Sequence, residues 1–237
     1  MNEEAIKKAL AEILNGVLQE VRAESAGSAG HACAGSACAG AVEDGPIPVE
    51  LSARHVHLSE KDAIALFGGP LTHARDLSQP GQFLCKERVR LVGPKGVMDN
   101  VAVLGPSRGS SQIELSKTDA RALGVNAPVR QSGDVAGTPG MILTADKNIT
   151  GLEEGVIVAA RHIHMAPEDA ARFGVSDGDM VSVRLSTERP TVFEDVLVRV
   201  SPKFRLAMHI DADEGNACGW KKGTEGVIVA RGGRHGH

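Results

Sequence analysis

This 237-residue chain predicts a mainly β protein built on a duplicated scaffold. Three observations carry that prediction. Arg54-His55-Val56-His57-Leu58 and Arg161-His162-Ile163-His164-Met165 read almost alike, and each precedes a short stretch ending in Phe-Gly. The 28 glycines and 11 prolines call for many turns, as a strand-rich fold requires. From Pro46 onward the apolar runs are short, in keeping with strands and a few short helices.

The elements follow in order. Over residues 3–21, Ile6, Leu10, Ile13, Leu14, Val17, Leu18 and Val21 recur at three- and four-residue spacing, the stripe of an amphipathic helix. Residues 25–41 are almost wholly Ala, Gly and Ser, a composition that buries too little to order itself, so they form a flexible linker. A helix on such a tether suits docking to a partner, with packing on its own domain the alternative. Strands are expected at 48–52, 88–92, 100–104, 112–115, 155–160, 180–185, 194–200, 206–210 and 226–230. Short helices are expected at 59–67, capped by Ser59, and at 117–123, 166–173 and 211–218. The division is a helix at 1–22, a linker at 23–45, and two repeats at 46–140 and 141–237.

The repeat extends beyond the histidines. Val89-Arg90-Leu91 matches Val183-Arg184-Leu185, Asp99-Asn100-Val101 matches Glu194-Asp195-Val196, and Ala122-Leu123-Gly124 matches Ala217-Cys218-Gly219. The offset is 107 residues at His55 and His162 but 95 later, which places an insertion of roughly twelve residues in the first half, around 71–83. At the later offset Glu114 falls on His209.

A His-x-His unit on a strand sends both imidazoles to one face. Two converging imidazoles are half of a tetrahedral zinc site, and the matched Glu114 and His209 supply a third donor to each half. The candidate ligands are therefore His55, His57 and Glu114 in one half and His162, His164 and His209 in the other. Three donors leave a position open, the arrangement of a catalytic rather than a structural zinc. Arg108, in the Gly/Ser loop six residues before Glu114, either grips a phosphate bidentately or is a solvated loop residue. Arg54 and Arg161 point to the opposite strand face and are expected in structural ion pairs. His73 belongs to the inserted loop, and His31, His235 and His237 lie in low-complexity segments. Cys85 and Cys218 read as small buried hydrophobes, and no role emerges for Cys33 or Cys38.

Other classes are disfavoured. A net charge of −4, no tyrosine and a single tryptophan provide neither a basic footprint nor stacking platforms for nucleic acid. There is no membrane-length apolar run, P-loop, strand-linked GxGxxG or GxSxG elbow. A reducing cytosol is the expected setting.

Ser52-Ala-Arg-His-Val-His-Leu-Ser, Gly105-Pro-Ser-Arg, Ile113-Glu-Leu-Ser, Gly133-Asp-Val-Ala-Gly-Thr-Pro-Gly and Ala160-Arg-His-Ile-His-Met resemble the PduL-type phosphotransacylases of bacterial microcompartments. The resemblance covers residues 47–231. It implies two tandem pseudo-symmetric β-barrel domains with short helices, and an enzyme interconverting acyl-CoA (propionyl- or acetyl-CoA) plus phosphate with acyl phosphate plus CoA. It also implies two zinc ions on the same six residues, phosphate contact by Arg108, and CoA contacts from Leu51, Ser52, Ala53 and Lys95. Residues 3–21 then resemble an encapsulation peptide. That places the enzyme in the bacterial cytoplasm inside a microcompartment, such as one for propanediol degradation, docked on shell or core proteins. The sequence leaves the oligomeric state open, although docking helices often promote self-association, into a homodimer or higher oligomer.

The expected chemistry is direct metal-assisted transfer, since no protein nucleophile is evident. Two alternatives stand beside it. One is a two-zinc hydrolase of thioesters or phosphoesters, which needs a further carboxylate that the sequence does not reveal. The other is a non-catalytic metal-binding module docked to an assembly.

Overall fold

The computed structural model describes residues 45–232. The N-terminal helix at 1–22, the linker up to residue 44 (with His31, Cys33 and Cys38), and His235 and His237 lie outside the described residues.

Among the described residues fifteen strands and four helices follow in order. The first half contains β1 (Ile47–Ser52), β2 (His55–Ser59), α1 (Glu60–Phe67), β3 (His73–Asp76), β4 (Phe83–Val92), β5 (Val97–Arg108), β6 (Gln112–Glu114), α2 (Lys117–Leu123) and β7 (Val129–Arg130). The second contains β8 (Met141–Ala145), β9 (Asn148–Leu152), β10 (Val156–Ala159), β11 (His162–Met165), α3 (Pro167–Phe173), β12 (Met180–Leu185), β13 (Thr191–Val200), β14 (Ala207–Asp211), α4 (Ala212–Cys218) and β15 (Glu225–Gly232). Among the described residues every predicted strand and helix forms, most of them within a residue or two. Sequence patterns alone did not reveal β3, β7, β8 and β9. β3 occupies the insertion expected as loop.

The helices stop and start for local reasons. The Ser59 side chain accepts from the Asp62 N–H at 3.1 Å and opens α1, and Ser116 caps α2 in the same way. Pro167 begins α3, where the missing N–H costs nothing. All four helices end on glycine in the left-handed region (Gly68, Gly124, Gly174, Gly219), where a Cβ would be strained.

Strand order reveals the duplication. One sheet runs β10-β6-β2-β5-β4-β8 and the other β1-β14-β11-β13-β12-β15, two six-strand series that correspond member for member. Asn100 and Asp195, matched in the repeat, both adopt positive φ, at 58° and 50°. In the second series β15 pairs with β1 and the barrel closes. The first series stays an open, curled half-barrel, with β7 added beside β10 and β9 beside β8. Mainly β architecture with two barrel-like lobes is thus what forms.

The lobes do not divide at residue 140. β1 leaves its own half and joins the second barrel, parallel to β14. β8, β9 and β10 belong to the first sheet, where β10 runs parallel to β6. In each half the strand just before the His-x-His unit, β1 or β10, therefore joins the opposite lobe. Burial follows the exchange. Ile47 and Val49 lie in the core of Ile163, Met165, Phe173, Val183 and Ile210, while Val156 and Val158 pack with Val56, Leu58, Leu91, Val103 and Ile113. Truncating a fully buried member such as Leu58 or Ile163 to alanine would cost about 2–5 kcal/mol. The exchange means the chain crosses between lobes twice, at Ala53-Arg54 and at Ala160-Arg161, immediately before each His-x-His.

Candidate metal centre

The crossovers aim the histidines. Nδ1 of His55 lies 2.8 Å from the Ala53 carbonyl and Nδ1 of His162 lies 2.9 Å from the Ala160 carbonyl. A carbonyl only accepts, so each Nδ1 carries the proton and each Nε2 keeps its lone pair free. On β2, His55 and His57 project from one face, and β6 sets Glu114 directly opposite His55. The three donors converge: His55 Nε2 to His57 Nε2 is 3.2 Å, His55 Nε2 to Glu114 Oε2 is 3.5 Å, and His57 Nε2 to Glu114 Oε1 is 3.8 Å. A tetrahedron with metal–ligand arms of about 2.0–2.1 Å has edges of about 3.3 Å, so these donors stand nearly where zinc needs them.

The second cluster repeats the plan, with His162 opposite His209 in the β11–β14 register. The donor atoms of His162, His164 and His209 lie within 4.8 Å of one another. Buried Nδ1 atoms of His57 and His164 and Nε2 of His209 have no hydrogen-bond partner among the described residues. Two imidazole nitrogens 3.2 Å apart beside a carboxylate in the first cluster, and a buried, unpartnered His209 Nε2 in the second, are costly unless a cation sits among them, so both sets fit a divalent metal.

Electrostatics agree with that fit. Burial, then the fields of His55 and Arg108, lowers His57 to about 3. Burial, then His162 and His209, lowers His164 to about 2. His209 falls to about 3, chiefly by burial, and burial lowers His162. Neutral imidazole is the ligating form. Burial opposes charge on Glu114, but His55, His57 and the Ser132 hydroxyl more than offset it and hold the carboxyl well below its usual range. His55 rises because Glu114 and the Ala53 carbonyl outweigh burial.

Both clusters line one cleft of about 370 Å³. Leu51, Ser52, Ala53 and Arg108 line it as well. Lys95 is not among its walls; the aliphatic part of that side chain packs against Gly124 at the end of α2. Arg54 pairs with Asp119 at 3.1 Å and Arg161 with Glu214 at 3.1 Å, the structural ion pairs expected of them. His73 is exposed and pairs with Asp76 at 2.8 Å. Cys85 and Cys218 are buried and free, and burial pushes the Cys85 thiol up to about 11.

Several site residues escaped the sequence patterns. Gln112 and Ser132 clamp Glu114: Gln112 Nε2 donates to Glu114 Oε1 at 2.6 Å, and Ser132 Oγ donates to the same oxygen at 2.8 Å. Arg108 Nη1 donates to Ser132 Oγ at 3.0 Å, which ties the guanidinium to the first cluster. Glu50, on β1 beside His209, brings Oε2 within 3.6 Å of His209 Nε2. That is a carboxylate next to the second cluster, which the sequence had not revealed. Only Gln112 carried a usable signal, lying two residues from Glu114 and therefore on the same strand face.

A β scaffold whose two lobes share one cleft, each lining it with three side chains that could hold a metal ion, has the donor count of an open enzyme site rather than of a closed structural zinc module. Comparison with known proteins makes the class specific. A family model described as phosphate propanoyltransferase matches residues 48–221. The phosphate propanoyltransferase of Listeria monocytogenes is 56% identical over 187 residues, covering 78% of this chain and 88% of that protein. Those of Enterococcus faecalis and Salmonella typhimurium are 55% and 52% identical, covering 76% and 73% of this chain and 87% and 84% of their own length. This chain belongs to the phosphate propanoyltransferase family and is a phosphate acyltransferase.

Proposed function

We propose that the chain is a zinc-dependent acyltransferase acting on short acyl-CoA thioesters, with phosphate as the acceptor. The convergence of both three-donor clusters and Arg108 on one cleft carries this reading. His55, His57 and Glu114 would hold one ion, and His162, His164 and His209 the other. Bound there, a divalent metal would supply Lewis-acid charge beside the thioester carbonyl and lower the pKa of a thiol.

The chain's own residues do the rest. Arg108 offers a planar fork of donors to phosphate. The Gln112–Ser132 clamp orients Glu114 and, through Ser132, fixes Arg108. Leu51, Ser52 and Ala53 form the wall along which CoA would lie, as part of a crossover whose backbone is held by both lobes. A phosphate oxygen forms the new bond to the carbonyl carbon while the carbon–sulfur bond breaks, and the proton released by phosphate ends on the sulfur of CoA. Transfer runs directly and not through an acyl-cysteine, because both described cysteines are buried outside the cleft. Propionyl and acetyl groups differ by one methylene, about 1–3 kcal/mol in an apolar pocket, so both are proposed as substrates.

Thiol release from propionyl-CoA, with and without phosphate and before and after chelation, tests this. Release should require phosphate, vanish on chelation and return with zinc. Phosphate-independent release would mean hydrolysis, with Glu50 the carboxylate to examine. No release would leave a binding module.

We also propose that residues 3–21 act as a docking segment that delivers the enzyme to a microcompartment. Deleting residues 1–22 should leave activity intact and abolish co-purification with compartments; undiminished co-purification would overturn the assignment.

A further inference from the structure

The second barrel brings to the cleft a cation that the duplicated scaffold does not call for. Arg199 on β13 stands opposite His164 in the β11–β13 register, so both side chains leave the same face. Both also line the cleft. The matching partner of His57 in the first lobe is Leu104. One lobe therefore carries leucine, and the other a guanidinium that breaks the apolar run Val196-Leu197-Val198-Arg199-Val200.

The guanidinium is held in place. Its central carbon lies 5.8 Å from the Phe204 ring centroid, and that ring lies 4.1 Å from the imidazole of His164, centroid to centroid. Phe204 thus spaces Arg199 from the second cluster without neutralising it. The arginines of the two crossovers are paired, Arg54 with Asp119 and Arg161 with Glu214. Arg199 has no carboxylate partner among the described residues. A half-buried guanidinium stacked on an aromatic ring keeps its donors for a ligand, and leaving them unused would cost desolvation. Arg108 enters from the first lobe, and its charge is opposed first by burial and then by the field of Arg199, although Glu114 favours it. The two guanidiniums face a common volume.

We propose that Arg199 is a second anion-binding arginine, gripping the phosphate group of the substrate together with Arg108, one fork from each lobe. This rests on the transfer reading above. Inorganic phosphate and acyl phosphate are both dianionic with several free oxygens, which two forks match better than one. The thioester substrate lacks that group at its reacting end, so Arg199 acts on phosphate affinity and not on recognition of acyl-CoA.

The test is initial-rate kinetics on zinc-loaded wild type, Arg199→Gln, Arg199→Lys and Arg108→Gln, varying phosphate and propionyl-CoA separately, with metal content and melting curves for each. Arg199→Gln should raise the phosphate KM about tenfold or more while the propionyl-CoA KM stays within about twofold. It should also reduce the rise in melting temperature produced by phosphate alone. An unchanged phosphate KM in a folded, fully metallated variant, or a rise confined to the propionyl-CoA KM, would overturn the proposal. If glutamine unfolds the barrel, Arg199→Lys decides: a several-fold rise in phosphate KM at full metal content supports it, and wild-type values sink it. Failure of the transfer reading looks different, because thiol release from the wild type would then ignore phosphate and Arg108→Gln would change nothing.

Discussion

The two donor clusters share a plan and differ in how firmly they are held. In the first, His55, His57 and Glu114 are all buried, and Gln112 and Ser132 lock the carboxylate. In the second, His162 and His209 are partly exposed. Its three donors are neutral imidazoles, and Glu50 brings a carboxylate oxygen to 3.6 Å from His209 Nε2. An anionic donor in a hydrogen-bonded frame favours a tightly held ion; three neutral donors beside an opening favour one whose remaining positions exchange ligands. Duplication thus supplied two sites, and the surroundings set them apart.

The largest expected effect comes from removing a donor. Glu114→Ala or His162→Ala should lower kcat/KM by about 100-fold or more. Metal analysis should show the loss confined to the altered cluster if the two are independent. Loss of both ions from either variant would mean that the clusters form a single cooperative site.

Next in size is the clamp. Gln112→Ala should weaken metal binding at the first cluster by about 10–100-fold and leave the second untouched, as read by chelator competition. Equal weakening at both would erase the distinction drawn between them.

Acidity probes the imidazoles in chelator-treated protein. His57, His164 and His209 are lowered to about 3, 2 and 3 in the fold, against about 6.5 in an unfolded chain. Between those limits the unfolded state binds more protons, so stability falls as pH drops below about 6.5. Glu114, held low in the fold, adds to the loss below its ordinary range. His55, raised in the fold, opposes the trend but is a single group against four lowered histidines, His162 included. The melting temperature of the chelated protein should therefore decline steadily below pH 6.5. A flat profile down to pH 4 would mean that these imidazoles accept protons freely in the fold.

The smallest effect concerns the tie between lobes. Gln79, in the insertion of the first half, donates to the Arg205 carbonyl at 3.0 Å and accepts from the Arg205 N–H at 3.2 Å. Gln79→Ala should cost about 1–3 kcal/mol in chemical denaturation, because both backbone groups of Arg205 lose their partner. No change would show that water replaces the amide without penalty.

Much of the centre was legible in the chain. The spacing of the His-x-His units implied one shared face on a strand, and the offset of the repeat placed Glu114 on His209 before any coordinates. Helix limits were equally local, set by Ser59, Ser116 and the closing glycines. The short strands at 129–130, 141–145 and 148–152 gave too little alternation to recognise, and the insertion around 71–83 hid β3 among turn residues. Lys95 shows the opposite failure: a lysine in a glycine turn looks free to meet an anion, yet packs on the end of α2 instead.

Residue type and spacing by themselves determined the six donors, their grouping into threes and the duplicated order of elements, because side-chain period and helix capping act over a few residues. Only tertiary structure decided that β1 and β10 exchange lobes, that one sheet closes while the other stays open, and that Arg199, Gln112, Ser132 and Glu50 reach the cleft. Those outcomes depend on which distant strand satisfies a backbone edge and which buried polar atom finds a partner, and neither is written in any local stretch of sequence.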